Sequence, residues 1–200
     1  MPRYPDPINS LIAHLKKFPG VGQKSAERFC FHLLNWKDKD INQFSHSLST
    51  LKEQIQPCSE CGCFLDAGKC SYCESGSRDR KTLCITSSVK DVYAIEDTHI
   101  FNGLYHVIPK LLSPLDGDYE EQINIRAILK RVEEHKIREI IIALDSTLEG
   151  DATSLYIKGE LEESGVTVSR LALGLPLGSS LDFVDEGTLN RAFLGRQPIS

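Results

Sequence analysis

Along the first third of the chain, apolar residues recur at helical spacing. Ile8, Leu11, Ile12, Leu15 and Phe18 fall three or four positions apart, which predicts an amphipathic helix over 8–17. The pattern stops at "FPGVGQKSAERF", where Pro19 and Gly20 break the helix and Gly22 permits a positive φ. It resumes at Ala26, Phe29, Cys30, Leu33 and Leu34, a second helix that begins at the glycine turn. Asp40 and Gln43 have capping-box spacing. Ile41, Phe44, Leu48, Leu51 and Ile55 then carry a third helix, with His46 off the stripe and solvated.

After residue 80 the period changes. "TLCITSS" (82–88) and "LYHVIP" (104–109) read as short buried strands, with the helical turns of "KDVYAIED" between them. A polar loop, "SPLDGDYEE" (113–121), leads to a helix through Ile125, Ile128, Leu129 and Val132. "EIIIALD" (139–145) is almost continuously apolar, as expected of a strand covered on both faces. A helix over about 152–164 and the strand "VTVSRLAL" (166–173) follow. Strands alternating with helices predict a mostly parallel α/β sheet with right-handed crossovers. The expected fold class is therefore an α+β chain of several parts. These are a helical region (1–56), a cysteine ribbon (57–80), an α/β domain (81–176) and a short C-terminal strand and helix (177–200).

The ribbon, "PCSECGCFLDAGKCSYCES", holds five of the seven cysteines. Cys58 and Cys61 are separated by two residues, as are Cys70 and Cys73. Each tight turn can aim two sulfurs at one ion, and two such turns complete a tetrahedral all-sulfur site suited to Zn2+. Cys63 falls outside this symmetry. An iron–sulfur cluster could use the same four thiolates, whereas disulfides require an oxidising compartment. Four thiolates leave no position for water, so the expected role is structural.

Charge sharpens where a polyanion would bind. The net charge is −5, yet residues 1–80 carry 11 Lys and Arg against 9 Asp and Glu. Within 1–36, Arg3, Lys16, Lys17, Lys24 and Arg28 face only Asp6 and Glu27. With no signal sequence and no apolar run near the ~20 residues that cross a bilayer, a cytoplasmic chain with no membrane partner is expected. At the glycine turn, backbone N–H groups from Gly20 to Lys24, backed by the helix dipole, suit a phosphate. Lys24 and Arg28, one turn apart, can grip neighbouring phosphates. A plain packing turn would use the same residues. "FPGVGQKSAER" resembles the helix-hairpin-helix motif, which implies sequence-independent contacts to the DNA backbone by Gly20, Gly22, Lys24 and Arg28.

The strand ending at Asp145 runs into "DSTLEGDAT", with Asp145, Glu149 and Asp151 close together. Clustered carboxylates at a strand end are the usual sign of Mg2+ and phosphoryl chemistry. The segment resembles the Toprim domain, whose enzymes have a glutamate at the first strand end and an Asp-x-Asp at a later one. Here Ser87 and Thr147 stand at two of those three positions. A silent Toprim with no catalytic residue is expected, and Glu149 and Asp151 become an exposed acidic tip, either a docking patch or a solvated loop. "LDFVD" (181–185) has the look of a Walker B strand, but no phosphate-binding loop with its lysine accompanies it.

The order of parts, with "SPLDG", "EGDAT" and "DEGTLNRAFLGRQ", resembles the RecR family of bacterial recombination mediators over nearly the whole chain. That resemblance implies a non-enzymatic DNA-repair factor acting with RecO and RecF. It also implies ring-like homotetramers around duplex DNA. The competing readings are a Mg2+-dependent Toprim nuclease or primase-like enzyme and a pure protein adaptor.

Overall fold

The computed structural model describes residues 4–113, 123–172, 174–196 and 198. Beyond Ser113, the polar loop predicted at 113–121 lies outside them, as do Arg3, Leu173 and Gln197. The chain divides into two compact units, Met1–Gln54 and Ile55–Ser200.

The first unit is helical: α1 (Asp6–Leu15), α2 (Gln23–Leu33) and α3 (Asp38–Gln54). Ile12 of α1 buries against Ala26 and Cys30 of α2, with Ile8, Leu11, Leu15 and Val21 packed around them. Trp36 meets Phe44 edge-on at 5.8 Å. The helix α3 begins two residues before the expected cap. Asp38 and Asp40 both stand in its first turn, where carboxylates complement the positive end of the helix dipole, so Asp40 is a helical residue rather than the cap. No residue of α3 is buried. On its predicted apolar stripe, Phe44, Leu48 and Leu51 are exposed, and Phe44 and Leu48 border a groove of about 500 Å³ with Leu11, Leu33 and Ile41.

The second unit is built on a four-stranded parallel sheet. Its elements are β1 (Asp79–Thr86), α4 (Val89–Glu96), β2 (Gly103–Val107), α5 (Ile125–His135), β3 (Glu139–Ala143), α6 (Leu148–Glu160), β4 (Thr167–Arg170) and α7 (Glu186–Leu194). The strand order is β2-β1-β3-β4. Alternation along each strand divides the core in two. Leu83, Ile85, Leu104, Ile140 and Ile142 face Ile128, Val132 and Ile157 of α5 and α6. On the other face, Cys84, Tyr105, Val107 and Ala143 pack with Val89 and Val92 of α4 and with Cys61, Cys63, Cys70, Tyr72 and Cys73 of the ribbon. The ribbon thus forms part of the sheet's second layer, which explains how β3 is apolar on both faces.

The C-terminal segment holds the expected helix. "LDFVD" is not a strand, however: Leu181–Phe183 is a single 3-10 turn. Asp185 accepts hydrogen bonds from the Thr188 N–H at 3.0 Å and the Thr188 hydroxyl at 2.7 Å, capping α7. A capping carboxylate competes locally for the backbone, and Phe183, 91% exposed, has no sheet to bury against.

Candidate functional site

The ribbon brings Cys58, Cys61, Cys70 and Cys73 together, with all four sulfurs within 4.8 Å of one another. Cys61 and Cys70 sulfurs are 3.5 Å apart. A tetrahedral ion with bonds of 2.3 Å requires sulfurs about 3.8 Å apart, so the set fits zinc in size and donor type. Tight turns aim the ligands: the Cys58 N–H donates to the Cys63 carbonyl at 2.7 Å, and the Cys73 N–H to the Cys70 sulfur at 3.4 Å. Cys63 is fully buried and outside the group. Hydrogen bonds from Cys63 and Cys73 favour the Cys61 thiolate, lowering it to about 2, while burial pushes Cys70 up to about 11. Thiols this close resist ionising together, and a dication is the partner that removes the conflict.

Two contacts fasten this group to the sheet. The Val107 N–H, at the end of β2, donates to the Cys61 carbonyl at 2.8 Å. Gly62, with φ +77°, lies so close to Val107 that an added Cβ would meet its Cβ at 3.1 Å. From α5, buried Arg131 reaches the Cys73 sulfur at 3.7 Å and Glu60 at 3.2 Å. Sequence reasoning missed Arg131. The available signal was a cation at Ile128 plus three, on the stripe that becomes buried.

At the hairpin, Gly20 has the positive φ, +77°, while Gly22 is the extended N-cap of α2 at φ −83°. The freedom that Gly22 offers is not used: the turn takes its left-handed residue after Pro19, and a residue entering a helix is normally extended. The Val21 N–H turns back to the Phe18 carbonyl at 3.1 Å and leaves the outward set. Among the described residues, the N–H groups of Gln23, Lys24 and Ser25, in the first turn of α2, have no acceptor. No side chain caps them. An added Cβ on Gly20 or Gly22 would meet nothing within 4 Å, so the approach is open. Lys24 and Arg28 are both exposed and one helical turn apart.

At the strand ends, the substituted positions have structural work. Ser87 donates to Asp91 at 3.0 Å, and Ser88 caps α4 by accepting from the Asp91 N–H at 3.3 Å. Thr147 caps α6, accepting from the Gly150 N–H at 3.1 Å. Gly150 lies against the same loop, where an added Cβ would fall 2.0 Å from the Asp145 carbonyl oxygen. Among the described residues, Asp145, Glu149 and Asp151 do not converge as a metal-binding group. Asp151 pairs with Arg170 at 2.6 Å and Arg191 of α7 at 2.9 Å. Hydrogen bonding from Arg170, then the charges of both arginines, holds its carboxyl below the usual range. Arg191 also donates to the Ser146 hydroxyl. Of the expected acidic tip, Asp151 is part-buried and paired within the fold, and Glu149 stands exposed. No helix among the described residues is long and apolar enough to cross a membrane.

Comparison with known proteins covers these same parts. Residues 81–172 match the Toprim domain family, 8–52 the family described as "RecR, helix-hairpin-helix", and 174–197 that described as "RecR, C-terminal". The chain is 50% identical over 194 residues to the recombination protein RecR of Protochlamydia amoebophila, covering 97% of this chain and 98% of that one. It is 44% identical to that of Chlamydia felis over 99% and 100% of the two chains. The corresponding protein of Staphylococcus saprophyticus is 40% identical over 96% and 98%.

Proposed function

The chain belongs to the RecR family of recombination proteins, and on that footing we propose that it is a non-enzymatic factor of recombinational DNA repair that grips the DNA backbone without reading sequence. The observation that carries the reading is the hairpin. Open N–H groups at the start of α2 stand beside exposed Lys24 and Arg28 on one helical face. Phosphate suits that arrangement, and nothing in it offers a donor–acceptor pattern for a base edge. Gly20 and Gly22 serve the approach, Gly20 by its positive φ and both by lacking a side chain.

The four cysteines hold one structural Zn2+. Cys58, Cys61, Cys70 and Cys73 bind it as thiolates, and the ion supplies a fixed cross-link between the two turns. The pairing of Asp151 with two arginines supports a silent Toprim domain over the alternative of a Mg2+-dependent nuclease or primase, because a carboxylate already neutralised is a poor ligand for a hydrated cation. Four functional parts follow: DNA binding in 1–56, zinc in 57–80, the Toprim scaffold in 81–176 and assembly in 177–200.

One hairpin per chain binds DNA weakly in a protein of net charge −5. Self-association into a ring-shaped homotetramer raises the effective concentration of hairpins around one duplex. The apolar face of α3 and the apolar side of α7, with Leu175, Leu181, Leu189 and Phe193 bordering a groove, suit such contacts. RecO and RecF are the protein partners, with exposed Glu149 as a docking contact, and the cytoplasm is the site of action. Gel-shift titration on duplexes of unrelated sequence tests this reading. Wild type should bind all of them alike, and Lys24→Ala with Arg28→Ala should abolish binding while oligomer mass stays unchanged. Normal affinity in that double variant overturns the hairpin assignment.

A further inference from the structure

A buried cation lies against the four-sulfur group, and it comes from the sheet domain. We propose that Arg131 is the counter-ion of the metal centre: its guanidinium offsets the negative charge of the zinc tetrathiolate and holds Cys73 toward the ion. The inference rests on the reading that the four cysteines bind zinc. Four thiolates around a dication leave a net charge of about −2, which is costly beside an apolar core unless a cation sits close.

Arg131 is placed to be that cation. Its side chain is only 3% exposed. One Nη donates to the Tyr105 carbonyl of edge strand β2 at 2.5 Å and lies 3.4 Å from His106 Nδ1. The other Nη points to the Cys73 sulfur at 3.7 Å, within the range of an N–H···S bond. The Nε side faces Glu60, a residue of the Cys58–Cys61 turn, at 3.2 Å, and Glu60 also meets His135 at 3.0 Å.

One arginine thus touches both metal-binding turns, Glu60 in the first and Cys73 in the second, while anchored to the sheet. Its carboxylate partner is 39% exposed and shared with a histidine, so Glu60 alone balances a buried guanidinium poorly. The thiolates are the other negative charge within reach. Arg80 adds a second anchor, donating to the Cys73 carbonyl at 3.1 Å. Groups that support metal ligands in this way typically change affinity 10–100-fold when removed.

The test compares full-length wild type, Arg131→Met and Arg131→Lys. Zinc affinity is read by competition with a chromophoric chelator, and the Co2+-substituted proteins give the thiolate-to-metal charge-transfer band. Arg131→Met should weaken zinc about 10–100-fold and move the Co2+ band to longer wavelength, because the sulfur lone pairs lose a positive neighbour. Arg131→Lys, which keeps the charge, should recover most of the affinity. Unchanged affinity and band in Arg131→Met, or equal losses in the Met and Lys variants, overturn the counter-ion role. Failure of Arg131→Met to fold in saturating zinc while metal-free wild type keeps its sheet also overturns it, since the arginine would then serve the sheet alone. Wild type that binds neither zinc nor Co2+ refutes the metal reading itself, which separates the two failures.

Discussion

If the ribbon is part of the sheet's second layer, a change confined to the ribbon must destabilise the sheet. Gly62→Ala is the sharpest such change. Gly62 has φ +77°, and an added Cβ would stand 3.1 Å from the Val107 Cβ and 3.2 Å from the Val107 carbonyl oxygen. A left-handed backbone costs a residue with Cβ about 1–2 kcal/mol. Crowding a packed contact adds about 1–3 kcal/mol, and a carbonyl of β2 cannot turn aside as a flexible side chain can. The combined loss is about 2–5 kcal/mol. In a unit of this size each kcal/mol lowers Tm by about 2–4 °C, so a fall on the order of 10 °C is expected. Thermal unfolding followed by far-UV circular dichroism reads the sheet, while Trp36, the single tryptophan, reports the helical unit. The sheet transition should fall with the substitution and the Trp36 fluorescence transition should stay in place. Chelator should then lower the sheet transition of wild type more than that of Gly62→Ala. A sheet transition that moves by less than about 2 °C would show the ribbon to be an independent appendage.

The other expectations are read from the strand-end loop. Gly150→Ala places a Cβ 2.0 Å from a backbone oxygen, so it should cost about 3 kcal/mol or more in chemical denaturation, and a neutral result would contradict the packing of the loop on α6. Asp151, whose carboxyl is depressed by Arg170 and Arg191, contributes stability that is complete above the ordinary carboxylate pKa of about 3.9 and lost as pH falls through its lower folded value. Docking of α7 should therefore loosen only in acid, read as faster amide exchange over 186–194, and Asp151→Asn should remove that pH dependence. Incubation of DNA or nucleotides with the protein and Mg2+ should give no cleavage and no primer synthesis, and product formation that disappears in Asp145→Asn would restore the enzyme alternative.

What was legible in the sequence depended on how local the cause was. The two Cys-x-x-Cys turns needed only a two-residue spacing, and their four residues meet as read. Apolar runs such as "EIIIALD" announced the parallel sheet because burial on both faces leaves no alternation to hide it. The glycine hairpin was visible, but which glycine carries positive φ was decided by the start of α2 at Gln23. "LDFVD" misled because an apolar run followed by Asp also describes a turn before a capped helix. The partners of Asp151 and Arg131 were not legible. Each depends on partners 19 to 58 positions away in sequence, Arg170 and Arg191 for the first and Cys73 for the second. The layer formed by ribbon and sheet was hidden for the same reason.

Phosphate-gripping hairpins multiplied by assembly form the core of this account, and the salt dependence of duplex binding tests it most directly. Each neutralised phosphate contributes about −0.9 to the slope of log affinity against log salt. Lys24 and Arg28 of a lone protomer give about −1.8, whereas four hairpins on one duplex approach about −7. We predict a slope steeper than about −4 for wild type, independent of DNA sequence. A slope near zero, or one near −1.8 from protein that remains monomeric on DNA, would contradict it.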